Sequence, residues 1–405
     1  MAVVTETSAA FDFNPLDPAT RDDPFPWYAR GRADHPVHRH PALPIVSMFR
    51  YDDVLAILRD AAGWSSDIPL PPGIELPPDF APSMLITDPP EHGRLRGLVN
   101  QAFTPRMVAR LEDRIRAVAD ELLDDALERG RVDLIESFTH PLPVIVIAEM
   151  IGVPVGDRED FKRWSDELVE DLGTGILAFS PDQLDRQARI RGEMARYFEP
   201  LIAARRADPR EDLLSGLVAA ELEGSRLSFN EMISMLVLLL VAGNETTTNL
   251  IGNAALALLR EGGQLARLRA DRGLLASAVD EVLRWDSPVQ ATVRRATRRA
   301  EIRGHTVAEG ELALVWIGSA NRDEEIFPDP DRFDVARDPN RHIAFGFGTH
   351  YCLGANLARL EARIALDALL GRTRSFERVA GEPVARTESF ILRGVRKLPV
   401  ELLPA

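Results

Sequence analysis

The stretch FGFGTHYCLG, residues 345–354, carries the only cysteine of a 405-residue chain, Cys352, with Gly346 and Gly348 before it and Gly354 after it. The residues after it, LGANLARLEARIALDALLG, place Leu353, Leu357, Leu360 and Ile364 at helical spacing and stop at Gly371. The thiol therefore stands at or just before a helix N-terminus, where unpaired N–H groups and the helix dipole stabilise a thiolate. Glycines ahead of it let backbone approach a bulky flat group without Cβ contact. A small, inert, buried cysteine is the competing reading.

Spacing removes several other chemistries. A nucleophilic thiol needs a base, and His350, two residues away in a turn, points elsewhere. A dinucleotide loop needs a third glycine where Tyr351 stands. Zinc needs three or four ligands, and the histidines of HPVHRH, residues 35–40, have no cysteine near them and read as a solvated loop. Covalent haem attachment needs two cysteines followed by histidine. One thiolate holding a non-covalent haem stays open.

The composition, 45% hydrophobic and 27% charged, is that of a globular chain able to bury a large core. Without a linker, repeat or low-complexity tract, residues 1–405 read as one domain. A net charge of −15, with scattered basic residues that are all Arg except Lys162 and Lys397, argues against a nucleic-acid binder. The N-terminus shows no signal-peptide pattern, and the longest apolar run, Met235 to Gly243, falls short of the roughly 18 residues of a membrane span. A cytoplasmic protein without disulfides is expected.

Helical periodicity dominates. Residues 106–130 read as one helix ending at Gly130. Ser228 and Glu231 have capping-box spacing, and the pattern after them runs to Gly262 and Gly263, about 50 Å of helix whose midpoint is AGNETTTN. Strands are expected across EIRGHTVAEGELALVWIG, broken at Gly304 and Gly310, and near residues 44–49. The Pro-rich residues 68–82 form a long loop. The fold class is mainly α with a minor β portion.

Together these segments resemble the bacterial soluble cytochrome P-450 family of haem-thiolate monooxygenases. Phe345, Gly348, Cys352 and Gly354 match its cysteine loop, Glu281 and Arg284 in EVLRW its paired acid and arginine, Arg332 in FPDPDRF a further arginine, and AGNETT its oxygen-activation segment. The resemblance implies that Cys352 is the iron ligand of a non-covalent haem b, with a long central helix crossing the haem. It implies propionate donors at His92, Arg96, Arg294 and His350, with Arg295 a rival to Arg294. Glu281, Arg284 and Arg332 would form a buried structural network. Thr246 would orient protons for oxygen activation and Glu245 would be the acid of the relay, with Asn244 where the family often has His or Gly.

No flavin or nicotinamide motif is visible, so a separate ferredoxin or flavodoxin is expected to dock on the cysteine side, near Arg94, Arg106 and Arg341. By resemblance the pocket is lined by residues 68–86 and 171–182, by Leu239, Ala242, Val289, Ala291 and Val293, and by Ile391. These segments are mostly apolar, which suits a fatty acid, terpenoid, steroid or polyketide. A monomer that inserts one oxygen atom from O2, without membrane or nucleic-acid partner, is expected. A peroxide-driven hydroxylase and a gas-binding haem protein are the alternatives.

Overall fold

The computed structural model describes residues 11–40, 45–69, 80–170 and 181–405. Residues 70–79 and 171–180 lie outside these ranges, and with them most of the pocket lining expected from residues 68–86 and 171–182. The helices that position the site are Tyr51–Arg59 (α1), Glu91–Ala102 (α2), Glu112–Arg129 (α3), Pro141–Ile151 (α4), Arg158–Glu170 (α5), Pro181–Ala207 (α6), Phe229–Arg260 (α7), Leu275–Trp285 (α8) and Ala355–Arg372 (α9).

The long helix α7 begins where its cap dictates. The Glu231 amide donates to Ser228 Oγ at 3.3 Å and the Ser228 amide to Glu231 Oε2 at 2.7 Å, so two donors of the first turn are satisfied reciprocally. Its 32 residues span about 48 Å. Every residue from Thr247 to Leu258 is buried, which only an element enclosed on all sides sustains. The enclosing partners include α4, α5, α6, α8 and α9. By length and composition α7 is able to cross a membrane, but more than half of its most apolar window is buried in protein, as befits a core helix.

One expected helix is two. Residues 106–130 divide at Leu111 into Pro105–Arg110 and α3. Thr104 caps the short piece by accepting the Met107 amide at 3.2 Å, and Leu111 donates back to Val108 in a tighter turn. Apolar periodicity runs through the break because both pieces face the same core.

Five short strands, Val37–Arg39 (β1), Ile45–Met48 (β2), Trp64–Ser65 (β3), Thr292–Ala296 (β4) and Leu312–Val315 (β5), form a sheet in the order β1-β2-β5-β4-β3. The β2–β5 pair is parallel and the rest antiparallel, with Arg294 opposite Ala313. The expected turns at Gly304 and Gly310 both hold, each glycine having φ near +80°. The histidines of residues 35–40 are not a solvated loop. His38 lies in β1, and Phe11 stacks on His35 at 4.6 Å and meets His38 edge-on at 4.9 Å.

Candidate active site

The cysteine loop is fixed from behind by α1 and the segment after β5. Tyr51 Oη donates to the Arg341 carbonyl at 2.7 Å, the Ile343 amide to Asn321 Oδ1 at 2.8 Å, and the Cys352 amide to the Phe345 carbonyl at 2.9 Å. Gly348 has φ +69°, and a Cβ there would lie 2.8 Å from the Leu58 carbonyl oxygen, so its lack of a side chain lets the loop seat against the end of α1. Cys352 precedes α9 by three residues. Burial pushes its thiol pKa up, against the Gly354 N–H and the charges of Arg96 and Arg359.

Four basic side chains from three separate segments meet beside this thiol. His92 and Arg96 come from one face of α2, Arg294 from β4, and His350 from the loop. The His92 and His350 rings lie 4.3 Å apart. His350 Nε2 is 3.0 Å from Ser66 Oγ, and burial, then the charges of Arg294 and His92, pull its pKa down to about 4. Burial likewise lowers Arg294 to about 10, and among the described residues this guanidinium bonds to Thr292 Oγ1 and the Val293 carbonyl. Burial also lowers Arg96, opposed by the Cys352 charge, and His92, where the Arg96 charge adds to it. Neither Arg96 nor Arg294 has a carboxylate ion pair among the described residues, and His92 Nε2 is buried without a hydrogen bond.

The acid that faces the cluster is Asp88, which sequence reasoning missed and which no spacing signals. Its oxygens already accept from Ser65 Oγ and the Ser66 amide. A buried excess of cationic donors is unstable by itself and calls for an anion. The donor set and the orphaned His92 nitrogen fit the two carboxylates of a haem beside a cysteine ligand. Alternation along β4 separates the rival arginines. Arg295 donates instead to the Asp67 carbonyl at 3.0 Å and to Ser65 Oγ.

The same alternation changes the expected pocket. Ala291 and Val293 pack with Ile391 into an aromatic core of Phe11, Phe13, Tyr28 and Trp316, whereas Thr292 shares the face of Arg294. These three residues therefore sit in packed core and not on an open surface. Val289 is half-buried, Leu239 buried, and Ala242 exposed at the midpoint of an otherwise enclosed helix.

Around Ala242 the helix carries the acid and alcohol. Thr246 Oγ1 donates to the Ala242 carbonyl at 2.7 Å, one turn back. Burial raises the pKa of Glu245, whose Oε1 accepts from Asn249 Nδ2 at 2.9 Å. Asn244 donates to Ser165 Oγ on α5. A second acid, unflagged by the sequence reading, is Glu361 on α9: burial pushes it up to about 8, against a hydrogen bond from Thr247.

The structural network differs in its third member. Glu281 and Arg284 are fully buried and bidentate, at 2.7 and 2.8 Å. Arg332 points outward, 61% exposed, toward Asp334. The third side chain is Arg337, 11% exposed, whose Nε lies 3.1 Å from Glu281 Oε1. Arg332 contributes its carbonyl, which accepts from both Arg284 and Arg337. The turn after Pro328 directs the backbone of residue 332 inward and its side chain out. Arg94, expected to be a docking contact, is tied to Glu91, Glu231 and Ser225.

Residues 39–393 match the cytochrome P450 family. The chain is 41% identical over 380 residues to Cytochrome P450 109 of Bacillus spizizenii, covering 94% of this chain and 92% of that one. The fold superposes on cytochrome P450 CYP109Q5 from Chondromyces apiculatus with a TM-score of 0.90 at 41% identity, covering 98% and 100% of the two chains. It superposes on CYP109E1 from Bacillus megaterium in complex with testosterone with a TM-score of 0.85 at 36% identity, covering 94% and 99%.

Proposed function

The chain belongs to the cytochrome P450 family of haem-dependent monooxygenases, and from that premise we propose that it inserts one oxygen atom from O2 into a hydrophobic small molecule at the face of α7 marked by Ala242. The observation that carries this reading is the convergence of His92, Arg96, Arg294 and His350 beside Cys352 with no carboxylate partner for either arginine among the described residues.

In this proposal Cys352 holds the iron of a non-covalent haem b, since a lone cysteine cannot supply the thioether pair of a covalent one. His92, Arg96, Arg294 and His350 hold the propionates. The low pKa of His350 keeps it a neutral hydrogen-bonding group, so that the arginines supply the charge. Haem, when bound, supplies dioxygen activation and the oxidising power, which no side chain here has. Burial raises the Glu245 pKa, which favours its protonated form as a proton donor. Thr246, half-exposed beside Ala242, directs that proton into the site by exchanging its bond to the Ala242 carbonyl for one to a reacting group.

Leu239, Ala242, Val289 and Thr292 are the described residues assigned to the pocket, a largely apolar set that favours a steroid, polyketide, terpenoid or fatty acid. The testosterone bound to the related CYP109E1 supports the steroid end of this range. Residues 1–405 act as one domain, in the cytoplasm and as a monomer, with electrons from a separate ferredoxin or flavodoxin. Arg106 and Arg341, exposed near the cysteine side, are its basic contacts. The test is turnover under ¹⁸O-labelled dioxygen with a reductase pair and a panel of these four classes. One labelled atom in the product of at least one class is expected. Turnover with hydrogen peroxide but never with O2 would replace this reading by the peroxide-driven one.

A further inference from the structure

Glu245 has one buried carboxyl and must be reloaded after each proton it gives up. The charged groups that bear on it lie at the start of α4 and on α5. There His140, the residue before α4, lies with Nε2 3.0 Å from Asp166 Oδ1 on α5, and Lys162 Nζ lies 2.9 Å from Asp166 Oδ2. Side-chain exposure falls inward along this group, from 45% at Lys162 and 40% at Asp166 to 20% at His140. The neighbouring Ser165 accepts from Asn244, which fixes α5 against α7 one residue from Glu245. Among the described residues, His140 and Asp166 are the charged groups that bear on Glu245, and Asn249 is its neutral donor.

We propose that the His140–Asp166 pair is the proton port of Glu245, an assignment that rests on the reading of Glu245 as the relay acid. Imidazole is a common proton shuttle, and the Asp166 carboxylate 3.0 Å away orients this ring. Among the described residues no hydrogen bond joins His140 to Glu245, and the proposed step is one relayed by water. The protonated imidazole gives one proton to the Glu245 carboxylate and regains one from solvent at the exposed Asp166 edge. One proton moves inward at each reload of Glu245, two reloads accompany the two electrons that turn one O2 into an inserted oxygen atom and a water, and no electron moves through these residues. His140 is thus a positioning residue that acts through Glu245.

The experiment follows the Glu245 carboxyl infrared band against pH in the resting holoprotein, with the band assigned by Glu245→Gln. The His140 charge lowers the Glu245 pKa and the Asp166 charge raises it. His140→Gln therefore moves the midpoint to higher pH, and Asp166→Asn moves it to lower pH. His140→Gln also slows O2-dependent turnover by about tenfold, less than the roughly 10²-fold or more of a group that protonates the reacting atoms directly. An unmoved band overturns the port. If Glu245→Gln leaves turnover unchanged, the reading of Glu245 falls and the port with it; if Glu245→Gln is slow and His140→Gln is not, the port alone falls.

Discussion

Replacing Arg337 by Ala tests the structural network where sequence and structure disagree. In the folded protein this side chain gives one charge-assisted bond to Glu281 at 3.1 Å and bonds to the carbonyls of Pro328, Asp329 and Arg332 at 2.8, 3.1 and 2.9 Å. The carbonyls lie near the surface and can turn to water, so their loss is cheap. Glu281 cannot, and loses one of its two arginines. Removing a sole partner of a buried charge costs roughly 3–5 kcal/mol, but Arg284 remains bidentate, which brings the expectation to about 2–4 kcal/mol. With roughly 2.1 cal/mol/K of unfolding entropy per residue, a 3 kcal/mol loss lowers Tm by about 3–4 °C. Arg332→Ala, which removes an exposed pair with Asp334, costs about 0–1 kcal/mol. Both are read by thermal unfolding of the holoprotein with the haem absorbance as probe. A loss in Arg332→Ala equal to or larger than that in Arg337→Ala would refute the assignment of the third member.

Arg294→Ala lowers haem affinity by about tenfold or more, the worth of one charged hydrogen bond, while Arg295→Ala changes it by less than about threefold; competition with a haem acceptor measures both. Thr246→Ala diverts reducing equivalents to hydrogen peroxide and cuts product per NAD(P)H by about tenfold, and Thr246→Ser restores coupling. Glu361 is protonated in the folded state up to about pH 8 and ionises near pH 4.3 when unfolded, so the folded state binds the extra proton. Stability then falls by up to about 1.4 kcal/mol per pH unit between about pH 4.3 and 8, and denaturant titrations of Glu361→Gln lack that slope.

What the sequence disclosed was what chain-local spacing encodes. The capping box at Ser228, the uninterrupted pattern of α7 and the lone cysteine before α9 each reflect contacts within a few residues, and each stands where expected. The exceptions are decided by tertiary contacts. The break at Leu111 is a turn inside an unbroken apolar stripe. The inward carbonyl of Arg332 depends on how the chain turns after Pro328, and Arg337 is then the guanidinium within reach of Glu281. Resemblance assigns Ala291 and Val293 to a pocket, but strand alternation sends them into the aromatic core and leaves Thr292 and Arg294 on the other face. Asp88, His140 and Glu361 gave no signal because burial and long-range charge, not residue type, make them notable.

The central claim is that Cys352 binds haem iron as a thiolate beside the four-donor cluster. The direct measurement is the absorption spectrum of the purified protein reduced under carbon monoxide, repeated with Cys352→Ser. A strongly red-shifted Soret band that the substitution abolishes is the predicted result. A band at the position of imidazole-ligated haem, or a red-shifted band that survives in Cys352→Ser, would contradict it.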